Sequence, residues 1–432
     1  MRVKAFHVGD GDCLLLSATK STTGLDHHIL VDGGRKEAFR NNARDEIYQL
    51  DELDLVYVSH IDDDHISGTL VLFDDMVKWR VHDQRPDTTQ PSFPRPPDVA
   101  EIWHNSLFEL VGDDLEPQIP GALSSTAGIL LAADSEPMRD LGLKMDNLAT
   151  GEKASMELSR RVSSRQLGIR RNRRVGEPLK LGTHKQNTVG PFHIKVLGPS
   201  EQALEDLKVV WRDWIATNKK AMRELQARML EDEDDLGTLP AQRVANPLLE
   251  AALGEGSITE PNLASLTMYM SANGKTLLLG GDASSEDLIV GLEDKYGSFQ
   301  NGGTKHIDAV KVQHHGASAN VTQDFIDRVT ADHYIFCGNG AHHNPEKEVV
   351  EAIAKARLGI GRDPVGPDAP FKLWFTSSSA SDITDNQATQ MKLIENTVAA
   401  LQDDATATRP GTLRADFLKA GHFEIDLDQP IV

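Results

Sequence analysis

Short apolar runs, each broken by glycine or aspartate, open the chain. VKAFHV (3–8), CLLLSA (13–18) and HILVDGG (28–34) read as three strands, separated by Gly-Asp-Gly and a polar loop. RKEAFRNNARDEIYQL (35–50) then has the mixed spacing of a helix. LDLVYVSH (53–60) reads as a buried strand that ends in polar residues, and a helix is predicted from Ile66. Strands followed by helices on this scale predict an α/β layered domain.

The pattern loosens from about residue 83 to 262. The proline-rich stretch Arg85–Pro97 is a loop. Leu204, Leu207, Trp211, Trp214, Met222, Leu225 and Met229 recur at helical spacing and predict a packed helix over 201–230. The acidic run Glu231–Asp235 reads as a solvated loop. Alternation returns with LTMYM (266–270), KTLLLGGD (275–282), HIDAVKVQHHG (306–316) and HYIFCGNG (333–340), all strands that end in polar or glycine residues. The expected organisation is a split domain of residues 1–82 and 262–360. An insertion spans 83–261, and a C-terminal extension of 361–432 packs on the core.

Composition narrows the function. The 432 residues carry a formal net charge of −21, which disfavours non-specific coating of nucleic acid but leaves room for a nuclease with a local basic patch. Two cysteines make no disulfide framework. No apolar run approaches the roughly 20 residues of a membrane span. The expectation is a cytoplasmic protein with no membrane partner. A homodimer or a regulatory protein partner stays open.

The densest chemistry is Ser59-His60-Ile61-Asp62-Asp63-Asp64-His65, directly after an apolar strand. Imidazole and carboxylate together bind zinc, manganese or iron in hydrolases. One aspartate would explain a helix cap. Three between two histidines ask for a cation. Further donors stand at other strand ends: Asp282, His314 and His315, and His342 with His343. A second concentration is basic. Arg160, Arg161, Arg165, Arg170, Arg171, Arg173 and Arg174 occur without an intervening acid, and Lys180, Lys185 and Lys195 follow. Guanidinium groups suit phosphate. The plainer alternative is a solvated face or ion pairs with the acidic run.

The pattern His60-x-Asp62-x-Asp64-His65 resembles the signature of the metallo-β-lactamase superfamily, with aspartate where most members have a second histidine. That variant resembles the soluble hydrolase domain of competence DNA-uptake channel proteins and their stand-alone relatives. FHVGDGDCLLL, ILVDGG, TLLLGGDA, VKVQHHG and GNGAHHNPE resemble that family's motifs, in the family's order. The resemblance implies an αββα sandwich of two mixed sheets flanked by helices. It implies two divalent metal ions, zinc or manganese, held by His60, Asp62, Asp64, His65, Asp282, His314, His315 and His342.

Within the two late pairs, His315 is favoured by its place before glycine and His342 by its place before Asn-Pro. Asp64 and Asp282 would be central to catalysis, with Asp282 bridging the ions and positioning a shared hydroxide. Asp32 would orient a ligand histidine from behind. Arg170, Arg171, Arg173 and Arg174 would bind substrate. One departure stands out: Gly198 occupies a position where members often carry a histidine, so one metal position is a ligand short or uses His342 or His343. The function expected is a phosphodiesterase or nuclease acting on DNA or nucleotides. The alternatives are an ester, lactone or amide hydrolase, and a non-catalytic effector that keeps the fold.

Overall fold

The computed structural model describes residues 1–105, 154, 157–175, 178–182, 187–206, 264–299, 303–404 and 412–431. Among them, a seven-stranded sheet runs in the order β17-β1-β2-β3-β5-β7-β8. Its strands are β1 (Arg2–Phe6), β2 (Leu14–Lys20), β3 (Leu25–Val31), β5 (Leu55–Tyr57), β7 (Glu101–Trp103), β8 (Arg170–Arg171) and β17 (His422–Asp426). A small ladder joins β4 (Glu52–Leu53) to β6 (Asp98–Val99).

An eight-stranded sheet runs β16-β15-β14-β13-β12-β11-β10-β9. It consists of β9 (Asn187–Val189), β10 (Phe192–Gly198), β11 (Thr267–Ala272), β12 (Lys275–Leu279), β13 (Lys305–Lys311), β14 (Val329–Phe336), β15 (Phe371–Phe375) and β16 (Leu413–Phe417). Both sheets are mixed. In the first, β17 to β3 pair antiparallel and β3 to β8 parallel. In the second, β9 to β12 pair antiparallel and β12 to β16 parallel.

The apolar alternation explains the layering. Leu14, Leu16, Ile29 and Val31 of the first sheet meet Val196, Met268, Met270 and Leu277 of the second in one buried cluster between the sheets. Leu15, Leu30 and Val56 on the opposite face instead meet Phe39 of α1 (Lys36–Asn42) and Ile66, Leu70 and Phe73 of α3 (Asp63–Gln84). The short α2 (Arg44–Ile47) adds Ile47. On the far side, Leu278, Val310 and Tyr334 pack under α4 (Ser285–Tyr296), α5 (Gln323–Arg328), α6 (Lys347–Leu358) and α7 (Asp385–Gln402). Each fully buried Leu, Ile or Phe is worth about 1.5–3 kcal/mol. The result is the αββα sandwich that the resemblance implied. No described helix is long and apolar enough to cross a membrane.

The sheets extend past the boundaries expected from sequence. β7 to β10 lie within the expected insertion yet pair into the two sheets, and their apolar runs Ile102-Trp103 and Val196-Leu197 are buried throughout. Residues past 361 are integral rather than appended: β15 and β16 complete the second sheet, and β17 pairs with β1 from Arg2 to Phe6. Of the helix expected over 201–230, residues 201–206 are helical; the rest, the acidic run 231–235 and Lys185 lie outside the described residues. The helix expected from Ile66 begins three residues earlier, at Asp63, with Asp62 as its N-cap and no side-chain cap bond. Asp64 and His65 therefore sit in its first turn, where the positive end of the helix dipole favours carboxylates.

Candidate metal centre

Strands β5, β12, β13 and β14 deliver their C-terminal ends to one edge of the sandwich. β5 runs into Ser59 and His60, β12 into Asp282, and β13 into His314 and His315. The two sheets are tied together at this edge: Leu266 N–H donates to Ser59 O at 2.8 Å, and the Tyr57 hydroxyl donates to Leu266 O. Backbone strain gathers here as well. Asp32, His314 and His315 hold φ of 54°, 45° and 55°, a left-handed conformation that costs a non-glycine residue of order 1–3 kcal/mol and clusters at functional sites. Gly11 lets the β1–β2 turn lie on the first turn of α3, since a Cβ there would fall 1.6 Å from Asp64 O.

One carboxylate oxygen, Asp282 Oδ2, is the hub. It lies 3.4 Å from His315 Nε2, 3.5 Å from His65 Nε2, and 3.8 Å from both His60 Nε2 and His314 Nε2. Asp64 Oδ2 stands 3.2 Å from His315 Nε2 and 3.7 Å from His65 Nε2; Asp62 Oδ2 is 3.6 Å from His60 Nε2. The Nε2 atoms of His60, His65 and His315 are buried without a hydrogen-bond partner. Donors that share a cation at about 2 Å sit roughly 3 to 4 Å from one another, so these spacings suit divalent ions.

The opposite ring nitrogens explain why the Nε2 atoms are available. Asp32 accepts from Ser59 N–H at 2.7 Å, from Ser59 Oγ at 2.7 Å and from His65 Nδ1 at 3.0 Å. Ser59 Oγ has thus given its hydrogen away and accepts from His60 Nδ1 at 3.0 Å. His315 Nδ1 donates to Cys337 O at 2.5 Å. His314 Nδ1 bonds Asn320 Oδ1 at 2.7 Å. Each Nδ1 faces an acceptor and carries a proton, so Nε2 is the atom of each ring that faces Asp282 and is open to a proton or a cation.

Behind the centre lie Asp12 and Lys311, both fully buried. The Lys311 ammonium pairs with Asp12, donates to Gly281 O at 3.0 Å and stands 3.5 Å from Asp282 Oδ1. Asp12 is also 3.3 Å from His315 Nδ1 and 3.8 Å from His65 Nδ1. Asp12, His65 and His315 come close enough to share an ion on this face too. On that face Lys311 pairs with Asp12 Oδ2 and both Nδ1 protons have other acceptors, although Asp12 Oδ1 has no hydrogen-bond partner. The Nε2 face, which brings His60, His65 and Asp282 together, is the better cation site.

The electrostatics agree. Burial works to raise the Asp282 carboxyl, but His315, His65, His314 and Lys311 hold it well below the usual carboxylate range. Burial also works to lower His65 and His315, yet the carboxylates of Asp282, Asp64 and Asp12 hold both rings well above the usual imidazole range. The cluster demands positive charge at its Nε2 face.

Other expected residues fall elsewhere. His342 and His343 are exposed, in a left-handed turn with φ of 52° and 65°, and their rings are not among the donors that meet Asp282. Asp63 turns away from the cluster to accept from Arg35 Nη1 at 2.5 Å and from Ser67 Oγ; Arg35 also grips Asp10 through two bonds of 2.8 and 2.9 Å. Among the arginines, Arg161 is tied to Asp74 at 2.6 Å and Arg174 to buried Glu101 at 2.8 Å. Arg170 and Arg173 are exposed on and just after edge strand β8. Between them, Asn172 clasps the backbone of His104 through bonds of 2.9 and 2.7 Å. Burial drives His104 down to about 3, helped by Arg171 and His60, so this basic edge adjoins the His60 side of the centre.

Asp12, Lys311 and Asn320 were not expected from sequence. Asp12 reads as one more turn aspartate in Gly-Asp-Gly-Asp, Asn320 as a loop residue, and Lys311 as the solvent-facing position of an alternating strand.

No protein-family model matches the chain, and no curated protein matches it. Among solved structures the chain is similar to YhfI from Bacillus subtilis, a metallo-beta-lactamase fold protein. The identity is 11%, the match covers 98% of this chain and 99% of that chain, and the TM-score is 0.33. A match at that level is a similarity only; the chemistry rests on the geometry of the centre.

Proposed function

We propose that the chain is a hydrolase that works through divalent cations at this edge and acts on phosphodiesters of nucleic acid or nucleotides. The convergence of four histidine Nε2 atoms on Asp282 Oδ2 carries the hydrolase reading. Asp64, His65, His315 and Asp282 would hold one cation. His60 and Asp62 would hold a second, sharing Asp282. Bound there, divalent ions would polarise a phosphoryl oxygen and acidify a water molecule, so no serine or cysteine nucleophile is required. Lys311 keeps Asp282 Oδ1 occupied and leaves Oδ2 facing the histidines. Ser59 and Asp32 fix the tautomers of His60 and His65. With three aspartates among the donors, the centre leans toward oxygen-preferring ions such as manganese.

The basic edge supports the substrate class. In a chain of net charge −21, exposed Arg170 and Arg173 flank the residue that clasps His104, next to His60. A polyanion crossing that edge would meet guanidinium groups before the centre. Hydrolysis of bis-p-nitrophenyl phosphate by the metal-reconstituted protein, compared with an ester and a lactone, tests the reaction. Turnover of the ester or lactone alone would select the carbonyl-hydrolase alternative. Charge reversal at Arg170 and Arg173 tests the substrate. It is expected to weaken DNA binding and to flatten the salt dependence by about 0.7–0.9 in logarithmic slope for each phosphate that is no longer neutralised, while hydrolysis of the small diester survives.

A further inference from the structure

A second basic cluster lies away from the metal centre, on the helix-covered face of the eight-stranded sheet. Lys195 of β10 pairs in register with Tyr269 of β11. Tyr269 is buried and meets the exposed ring of Tyr296, the last residue of α4, edge to face at 5.5 Å. Two more ammonium groups close on this ring pair. Lys295 Nζ stands 4.5 Å from the Tyr269 centroid and 5.1 Å from the Tyr296 centroid. Lys305 Nζ, from the first residue of β13, stands 3.8 Å from the Tyr296 centroid. The ring faces attract cations and gather the two side chains, but they carry no net charge.

The three lysines share one carboxylate. Lys195 bonds Asp294 Oδ2 at 2.6 Å. Among the described residues, Lys295 and Lys305 have no acidic partner. Neighbouring acids are engaged elsewhere: Glu293 with Arg328 at 3.3 Å, and Asp308 with Lys275 at 3.1 Å and with Thr276. Burial, then the ammonium groups of Lys195 and Lys305, lower the Lys295 pKa from the usual lysine range. The negative end of the α4 dipole would account for Lys295 in its last turn. It does not account for lysines that arrive from β10 and β13 as well. In a chain of net charge −21, this local surplus of positive charge suits an external anion.

The cluster also continues the basic edge. Arg174, just past β8, donates from Nη1 to Thr188 O of β9 at 2.8 Å, which ties the edge of the first sheet to the edge of the second. Thr188 pairs with His193 on β10, and Lys195 follows on the same face two residues along. From its start beside Asp282, α4 carries the chain about 18 Å away, at 1.5 Å for each of its 12 residues.

We propose that Lys195, Lys295 and Lys305, gathered on the Tyr269–Tyr296 pair, form a second contact for the phosphate backbone of a nucleic acid strand, continuous with the Arg170–Arg173 edge and remote from the metal centre. Ammonium groups meet phosphate as point charges and read no base, so the contact is independent of sequence. The inference rests on the phosphodiesterase reading for its class of ligand. It adds reach: a strand long enough to pass from the centre to the end of α4 is held at both.

The test uses manganese-loaded full-length protein and phosphorothioate strands, which resist cleavage. Strands of about 4 and about 20 nucleotides are compared, the first too short and the second long enough to span about 18 Å at 3.4 Å per nucleotide. The long strand is expected to shield Lys295 and Lys305 from amine acylation, read by mass spectrometry, and the short strand is not. Lys295→Gln with Lys305→Gln is expected to bind the long strand with a logarithmic salt slope shallower by about 1.4, at 0.7 for each of two phosphates. Lys295→Arg with Lys305→Arg keeps both charges and should keep the wild-type slope. A wild type that binds no long strand, lysines acylated at the same rate with and without it, or an unchanged slope in the glutamine pair would overturn the proposal. Hydrolysis of bis-p-nitrophenyl phosphate would in each case leave the function proposed above standing. Shielding without hydrolysis of any phosphodiester would overturn that function and support the contact. Shielding by poly-glutamate and not by the strand would assign the cluster to an acidic protein and overturn the proposal. Because acylation is read on the wild type, a variant that fails to fold does not blunt the test.

Discussion

On one side of Asp282, Asp64, His65 and His315 are walled in: Asp32, Asp12, Lys311 and Cys337 O stand directly behind the rings, and all but Asp64 are buried. His60 leans instead on the Ser59 hydroxyl, which also touches His65, and His314 on the Asn320 amide, with Asp62 and His314 partly buried. The first set is held by charge, in a place where charge is costly to leave unpaired. The second is held by a neutral hydroxyl and a neutral amide. The contrast predicts one cation position that is tight and rigid, and one that is looser and open to exchange.

The largest effect is expected where the two sides meet. Asp282→Ala removes the oxygen that all four Nε2 atoms face, so both ions should be lost and hydrolysis should fall to background. Metal content and turnover measured together check this. Retention of one tightly bound ion would show that the sides are independent.

The walled side breaks next. Asp12→Ala leaves the buried Lys311 ammonium without its close carboxylate partner, and stranding a buried charge in this way costs about 3–5 kcal/mol. Denaturant unfolding of the metal-stripped protein should show that loss. The double variant Asp12→Ala with Lys311→Met should recover most of it, because an apolar pair needs no partner. Cation affinity of the double variant should remain reduced by roughly 10–100-fold, since the support behind His65 and His315 is gone. Full recovery of affinity would mean that the pair serves stability alone.

A smaller effect is expected at the rim. Asp62 puts a hard anionic oxygen where an imidazole would favour zinc. Asp62→His should move the looser position toward zinc, lowering manganese-supported turnover several-fold and leaving the walled position and the fold unchanged. The comparison is turnover of metal-stripped wild type and variant after reconstitution with each ion. A wild type most active with zinc, and a variant that moves no further that way, would show that Asp62 does not tune the metal.

The same contrast governs what is legible in the sequence. The run from His60 to His65 stands out because a strand end and a helix start place four donors within six residues, and TLLLGGD and VKVQHHG announce the partners. The support behind them is hidden. Lys311 occupies the polar phase of VKVQ, and alternation assigns it to solvent. It is buried because β13 ends against Asp12 of the facing sheet, a fact of tertiary pairing. Arg170 and Arg171 read as part of a basic surface; that they form an edge strand depends on β7, about 70 residues earlier, which no local period reveals. β15 and β16 carry ordinary strand patterns and no donor residues at their ends, so a domain boundary drawn from the donor-bearing strands stops at 360 and leaves them out of the second sheet.

The last prediction sharpens the comparison with a histidine that has no cation to hold. His333 lies on β14, buried, and its Nδ1 accepts from Trp374 Nε1 at 3.0 Å. Burial, with a contribution from Lys372, lowers its pKa to about 4, the opposite direction from His65 and His315. In the unfolded chain the ring titrates near 6.5. As pH falls, the unfolded state therefore takes up the proton first. Stability from the neutral ring is fully present above about pH 6.5 and is lost as pH falls toward 4. The whole window is worth about 3 kcal/mol. His333→Gln keeps an acceptor for the Trp374 indole and cannot titrate. Relative to wild type, its unfolding free energy should fall less steeply with acid between pH 6.5 and 4, in chelator-treated protein so that cation loss does not enter. Cobalt uptake at both positions should be unchanged, because His333 touches neither side of the centre. If the acid slopes coincide, burial beside Trp374 does not disfavour the charged ring; if cobalt uptake changes, the two cation positions are coupled to the core of the second sheet and are not set by their own supports.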